Sequence, residues 1–292
     1  MDEAIATIRA RRLTSHFTME QVKLPLESYL KTMNGLPSDI VLRIDESLGE
    51  GEAGRTVPIA GKRCIVINGN DQPERQRFTA CHEVAHVVLD LPTEHDNNGT
   101  QFVRRSHNEV LCDVFAAEAL LPRRLFQPLV EDSDLEFAAI ERLASDFMAS
   151  LAATGSCFAE MCDRPCAFVL AQDGIIRYAS RSKRLKESGG WIAPGQKLPS
   201  ESLAAQLLRS TKAAGSASVD AVEWLSDWKK GGFLLEEARH FPRWKETLSL
   251  LWFAEDRVPA SDSEYSDDDD DEEPALKPLD GLLPWPGRSR RR

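Results

Sequence analysis

No run of about 18 apolar residues occurs in the 292-residue sequence, so a membrane-spanning helix is excluded. Tryptophan is missing from the first 190 positions. All six, at 191, 224, 228, 244, 252 and 285, lie beyond them, so the two halves differ in composition as separate domains do. Cysteine is scarce, with six thiols in a long chain. The opening MDEAIATIRARR carries acids and no apolar stretch of the kind a secretory signal needs. A disulfide framework is therefore not expected, and reduced thiols in a cytoplasmic protein are. No internal repeat is present.

Basic residues are also in deficit. Lys and Arg number 36 against 47 Asp and Glu, a net charge of −11. Phosphate backbones attract the opposite sign, so direct nucleic-acid binding is disfavoured. The excess is uneven. Positions 261–274 (SDSEYSDDDDDEEP) hold nine acids and no base, whereas positions 1–260 hold 37 acids and 31 bases. A run of acids cannot bury enough area to offset its ordering entropy, so a disordered acidic tail is expected over 259–292.

Along the chain, the first 45 residues read as helical. Pro25 is placed to open a helix, Leu26, Tyr29, Leu30 and Met33 form an apolar face, and Asn34-Gly35 stops it. Residues 46–55, rich in Gly and Glu, read as a loop, and 62–68 (KRCIVIN) as a strand. The clearest helix spans 73–90, with Phe78, Cys81, Ala85 and Val88 as its apolar stripe. A second helix is expected over about 106–120, ended by Pro122. Two short helices follow over 135–162, with Ser150 as a cap for the second. From 164 on, Asp173-Gly174 marks a hairpin, 199–208 reads as a helix, and strand-like runs follow at 217–223, 232–238 and 246–253.

His82-Glu83-Val84-Ala85-His86 has the H-E-x-x-H form within the first clear helix. Residues four apart share a helix face, so both imidazoles can reach one ion. Glu83 lies about 100° further round, close enough to hold a metal-bound water without ligating the ion. The bland alternative is two solvated histidines, and the apolar stripe on the same helix argues against that. A zinc site needs a third protein ligand and an open position. The next helix offers Glu109 and, four residues on, Asp113. One can ligate, and the other can hydrogen-bond the outer nitrogen of a histidine. Glu118 is turned about 180° from Glu109, so the two cannot both face the ion. His107 reads as a polar residue in the preceding loop.

At these residues the sequence resembles the ImmA/IrrE-type zinc metallopeptidases. The likeness rests on Arg75-Gln76-Arg77-Phe78-Thr79 leading into His82-Glu83-x-x-His86. It rests also on Glu109-x-x-Cys112-Asp113-x-Phe115-Ala116-Ala117-Glu118-x-Leu120-Leu121-Pro122, set against the pattern E-x-x-A-N-x-F-A-x-E-L-L-x-P. The resemblance implies one Zn2+ ion held by His82, His86 and Glu109, Glu83 as general base, and Asp113 as the acid supporting a ligand histidine. Cys112 stands where the pattern has Ala, and Asp113 where it has Asn. The resemblance also places a strand before the motif helix, and an edge strand there could pair with substrate through Cys64, Ile65, Val66 and Ile67. Tyr29, His95 and His107 are the candidates for a donor to the developing oxyanion.

The implied fold is α+β. It comprises a zincin-like metallopeptidase domain over 1–130, a helix-turn-helix-like segment over 131–163, a C-terminal α+β domain with an antiparallel sheet over 164–258, sensory by analogy, and the tail over 259–292. Residues 131–165 carry eight acids and two bases, the wrong sign for a DNA-recognition helix. Cys157, Cys162 and Cys166 match no common zinc spacing and read as core thiols. The function the resemblance implies is zinc-dependent cleavage of a protein substrate, a helix-turn-helix repressor of stress or mobile-element genes. The alternative is a non-proteolytic metal-binding regulator that sequesters a partner protein.

Overall fold

Helix starts are set by side chains that accept otherwise unpaired N–H groups. Asp2 accepts from Ile5, Ser106 from Glu109, Ser150 from Ala153 and Ser202 from Ala205. A computed structural model describes residues 2–49, 51–92, 106–254 and 258–259. Three helices open the chain, α1 (Glu3–Thr14), α2 (Met19–Val22) and α3 (Leu26–Thr32). A first sheet follows, with strands β1 (Ile40–Asp45), β2 (Gly54–Ile59) and β3 (Lys62–Asn68). Next come α4 (Pro73–Leu89), α5 (His107–Leu120), α6 (Arg123–Glu131), α7 (Phe137–Phe147) and α8 (Leu151–Met161). The remainder is β4 (Cys166–Gln172), β5 (Ile175–Arg181), α9 (Lys183–Glu187), α10 (Leu203–Leu208), β6 (Ala214–Asp220), α11 (Ala221–Trp224), β7 (Phe233–Phe241) and β8 (Glu246–Phe253).

The architecture is mixed α+β, with helices first and an antiparallel sheet last. That sheet has the order β5-β4-β8-β7-β6, every pair antiparallel. Asp173-Gly174 turns β4 into β5 with φ of 52° and 74°, as the primed hairpin requires. Three expectations need correction. The first 45 residues are not all helical, because the β-branched run Ile40-Val41 pairs in parallel with β3 as β1. The loop expected to Arg55 ends at Gly54, where β2 begins. The helix over 199–208 begins only at Leu203, with Ser202 as its cap. Of the tail expected over 259–292, only Pro259 lies among the described residues.

The first sheet has the order β1-β3-β2, so β3 is central. It pairs with β1 in parallel and β2 antiparallel along its whole length. Both edges of Cys64, Ile65, Val66 and Ile67 are therefore occupied, and these residues do not offer a substrate-pairing edge. Among the described residues, the outer strands of this sheet are β1 and β2.

One apolar core joins the opening helices to the later ones. Phe17 and Tyr29 meet Phe115 and Phe126, and Phe137, Phe147 and Phe158 continue the same cluster to Phe168, Leu248 and Leu250 of the second sheet. Gly155 of α8 sits directly on the Phe168 ring, leaving no room for a Cβ there. A second core lies on the other face of that sheet, with Trp224, Trp228 and Phe253. Trp191 and Trp244 are exposed.

Glu236 on β7 is fully buried. It accepts hydrogen bonds from Leu203 N (2.9 Å), Ala204 N (2.8 Å), Trp224 Nε1 (3.1 Å) and Ser249 Oγ (3.3 Å). Burial raises its pKa above the ordinary carboxylate range, against the pull of those donors. Glu236→Ala strands these donors at the start of α10, and a loss on the order of 3 kcal/mol is expected in denaturant unfolding. A midpoint unchanged from wild type would contradict the clamp.

Candidate metal centre

Pro73 opens α4, and Asp90, left-handed at φ 54°, ends it. Cys81, Val84, Ala85 and Leu89 bury one side of the helix. Arg77, 1% exposed, donates from Nη1 to Leu24 O (2.7 Å) and from Nη2 to Val22 O (2.8 Å), and lies over the Tyr29 ring. These contacts fix the first half of α4 against the opening helices, so the rotation that places His82 and His86 is set by the core. Ser106 caps α5 through the N–H of Glu109 (3.4 Å). Glu109, Cys112 and Asp113 then follow at i, i+3 and i+4, on one face of that helix.

The two helices bring four polar side chains together. His82 Nδ1 lies 3.0 Å from Asp113 Oδ1, and its Nε2 lies 3.0 Å from Glu109 Oε2. His86 Nε2 lies 3.3 Å from His82 Nε2 and 3.4 Å from Glu109 Oε1. Nitrogen and oxygen donors about 2.0–2.1 Å from a tetrahedral ion stand roughly 3.3 Å apart, so this triangle has the size of one face of such a site. Glu109 Oε1 is buried and makes no hydrogen bond, which suits a ligand atom. A nitrogen of His82, a nitrogen of His86 and Cys112 Sγ also lie within 4.8 Å of one another, a second set that could hold an ion.

Electrostatics follow from this crowding. Burial lowers the His82 pKa, but the hydrogen bond that His82 donates to Asp113 and the charges of Asp113, Glu109 and Glu83 outweigh it and leave the pKa raised. Burial and then the neighbouring His82 push the His86 pKa down. Burial, with Glu109, Asp113 and Glu83 adding to it, pushes the Cys112 thiol up to about 12. Three carboxylates converging on two imidazoles favour a divalent cation.

Glu83 is 2% exposed and accepts a hydrogen bond from Thr56 Oγ1 at 2.6 Å. Thr56 is the site residue that sequence reasoning missed, because β2 itself was missed. Gly54 and Pro58 weaken its strand signal, and the turn joining it to β3 uses Ala60 at φ 50°, a conformation alanine seldom takes. The one available signal was Gly61 directly before a strand. Gly54 lets β2 lie close, since a Cβ there would be 2.6 Å from Thr79 of α4.

Tyr29 and Glu118 are engaged elsewhere. Tyr29 is fully buried and its hydroxyl donates to Ala119 O at 2.5 Å, so it cannot reach a substrate. His107 is the exposed first residue of α5, and His95 lies outside the described residues. Glu118 faces away from the cluster. It accepts from Arg11 Nε (3.0 Å) and from Arg123 N (3.1 Å), tying α1 to the start of α6.

A histidine pair on one helix and an acid on the next thus converge beside a three-stranded sheet. Residues 38–155 match the family model Peptidase_M78, described as an IrrE N-terminal-like domain. Over 74 residues the chain is 38% identical to the radiation response metalloprotease IrrE of Deinococcus deserti, covering 23% of this chain and 25% of that protein. Over 72 residues it is 38% identical to the IrrE of Deinococcus radiodurans, covering 23% and 22%. The chain thus spans about a quarter of the length of these curated relatives. A solved Mycobacterium tuberculosis transcriptional regulator shares its fold, with a TM-score of 0.56 at 15% identity over 87% of this chain and 77% of that one. The region matched to the IrrE model holds the ligand cluster.

Proposed function

We propose that this chain is a zinc-dependent endopeptidase that cuts a specific protein, a helix-turn-helix repressor, and so switches on the genes that repressor holds silent. The observation that carries this reading is the convergence of His82, His86 and Glu109 with Glu83 beside them, its carboxylate steadied by Thr56. His82, His86 and Glu109 would hold the ion. When bound, zinc supplies Lewis acidity to a peptide carbonyl and to a water. Glu83 takes the proton from the attacking water and returns it to the leaving amine. Asp113 accepts from His82 Nδ1–H, which leaves the Nε2 lone pair for the ion. β2, which reaches Glu83 through Thr56, takes the substrate-pairing role first expected of Cys64 to Ile67. The segment over 131–163 acts as scaffold, and its acidic surface turns the molecule towards a protein rather than DNA. Among the described residues, no helix is long and apolar enough to cross a membrane.

The test is co-expression with candidate helix-turn-helix repressors, followed by mass mapping of fragments. A single cut in the repressor is the expected result. An intact repressor that co-purifies with the chain would establish the sequestering alternative instead.

Thr56→Val should lower kcat/KM about 10- to 100-fold, the usual cost of an outer hydrogen-bond partner, with zinc content unchanged. Thr56→Ser should restore most of the loss. Equal activity in Thr56→Val and wild type would remove Thr56 from the mechanism.

A further inference from the structure

We propose that Cys112 is a fourth protein donor at this centre, able to occupy the position that the attacking water needs, so that the chain has a thiol-closed, latent state. The inference rests on the reading of His82, His86 and Glu109 as zinc ligands.

Cys112 lies one turn after Glu109 on α5, on the face that carries both Glu109 and Asp113 towards α4. It is fully buried, and its Sγ lies within 4.8 Å of a nitrogen of each histidine. His82 Nδ1 is engaged by Asp113, so the nitrogen left to an ion is Nε2, which faces His86 Nε2 and Glu109. Across a tetrahedral edge a sulfur and a nitrogen donor stand roughly 3.6 Å apart, so the sulfur, no more than 4.8 Å from a nitrogen of each histidine, lies within roughly 1.2 Å of that spacing. Glu83 does not compete for that vertex, since Thr56 holds one of its oxygens.

The chemistry of the set gives the consequence. Sites closed by four protein donors are structural, and sites with three keep a position open for catalysis. Alanine, the residue in the resembling pattern, offers no donor and leaves the vertex to solvent. Cysteine at the same place offers a soft ligand with high affinity for zinc. On coordination the S–H proton passes to solvent and the sulfur takes its place in the shell, so no oxidant is needed. Among the described residues, Cys64, Cys81, Cys157, Cys162 and Cys166 join no comparable cluster of ligand atoms.

The experiment loads the full chain with cobalt(II) and records its absorption. Visible ligand-field bands report a bound ion, and a near-ultraviolet thiolate-to-cobalt charge-transfer band reports sulfur in its shell. Wild type should show both. Cys112→Ala should keep the visible bands and lose the near-ultraviolet one, and Cys157→Ser should keep both. Visible bands without the thiolate band in wild type, or a thiolate band that survives in Cys112→Ala, would overturn the role of Cys112 and leave the zinc site standing. No visible bands in wild type would overturn both.

Discussion

Glu83→Gln should abolish measurable cleavage while leaving the fold and the zinc content as they are. Gln has nearly the shape of Glu and its amide oxygen can still accept from Thr56, so the pocket is preserved. It cannot accept the proton of the attacking water. A positioned general base contributes about 10²- to 10⁴-fold, and the rate should fall by that factor. Three measurements on one preparation are needed: cleavage rate, zinc by elemental analysis, and the unfolding midpoint. A slow rate with normal zinc and stability assigns the loss to proton transfer. Cleavage near the wild-type rate would take the base role from Glu83. The burial of Glu83 sharpens the test, because a group with 2% exposure is shielded from replacement by a buffer base.

Removing a ligand should act on a different quantity. His82→Ala deletes the nitrogen that lies 3.0 Å from Glu109 and 3.3 Å from His86, and it also leaves Asp113 without that histidine. Even an outer partner is worth about 10- to 100-fold in metal affinity, so loss of His82 should exceed about 100-fold. Asp113→Ala should fall between wild type and His82→Ala. Competition against a chelator of known affinity reads this order directly. A His82→Ala protein that binds zinc as wild type does would show that the ion, if present, uses other donors. The two substitutions separate cleanly: one keeps metal and loses rate, the other loses metal.

What the sequence disclosed and what it hid follow from the range of each signal. The i, i+4 spacing of His82 and His86 and the cap at Ser150 are local, so both could be read within one turn of helix. The hairpin at Asp173-Gly174 is local for the same reason. The strand over 62–68 was legible from its β-branched run, but its central position was not, because order in a sheet is set by partners far along the chain. β1 was hidden inside a stretch whose first two-thirds is helical. β2 was hidden by Gly54 and Pro58, and Thr56 with it. Cys112 was visible as a departure from a pattern, yet its closeness to both histidines depends on how α4 and α5 pack. Tyr29 looked like an available hydroxyl, and only the fold shows that Ala119 already accepts from it.

The shared core has a consequence for how such a chain can change. Phe137, Phe147 and Phe158 of the helical segment pack in one cluster with Phe168, Leu248 and Leu250 of the second sheet. Phe137 N–H donates to Glu237 (2.8 Å), and Arg239 donates to Glu141 (2.9 Å). Recombination that replaced everything after residue 163 with a foreign module would uncover those rings unless the newcomer supplied matching apolar side chains at the same places. Exchanging the C-terminal sheet therefore means exchanging the apolar partners of the helical segment, whereas its other face, with Trp224 and Trp228, closes a core of its own.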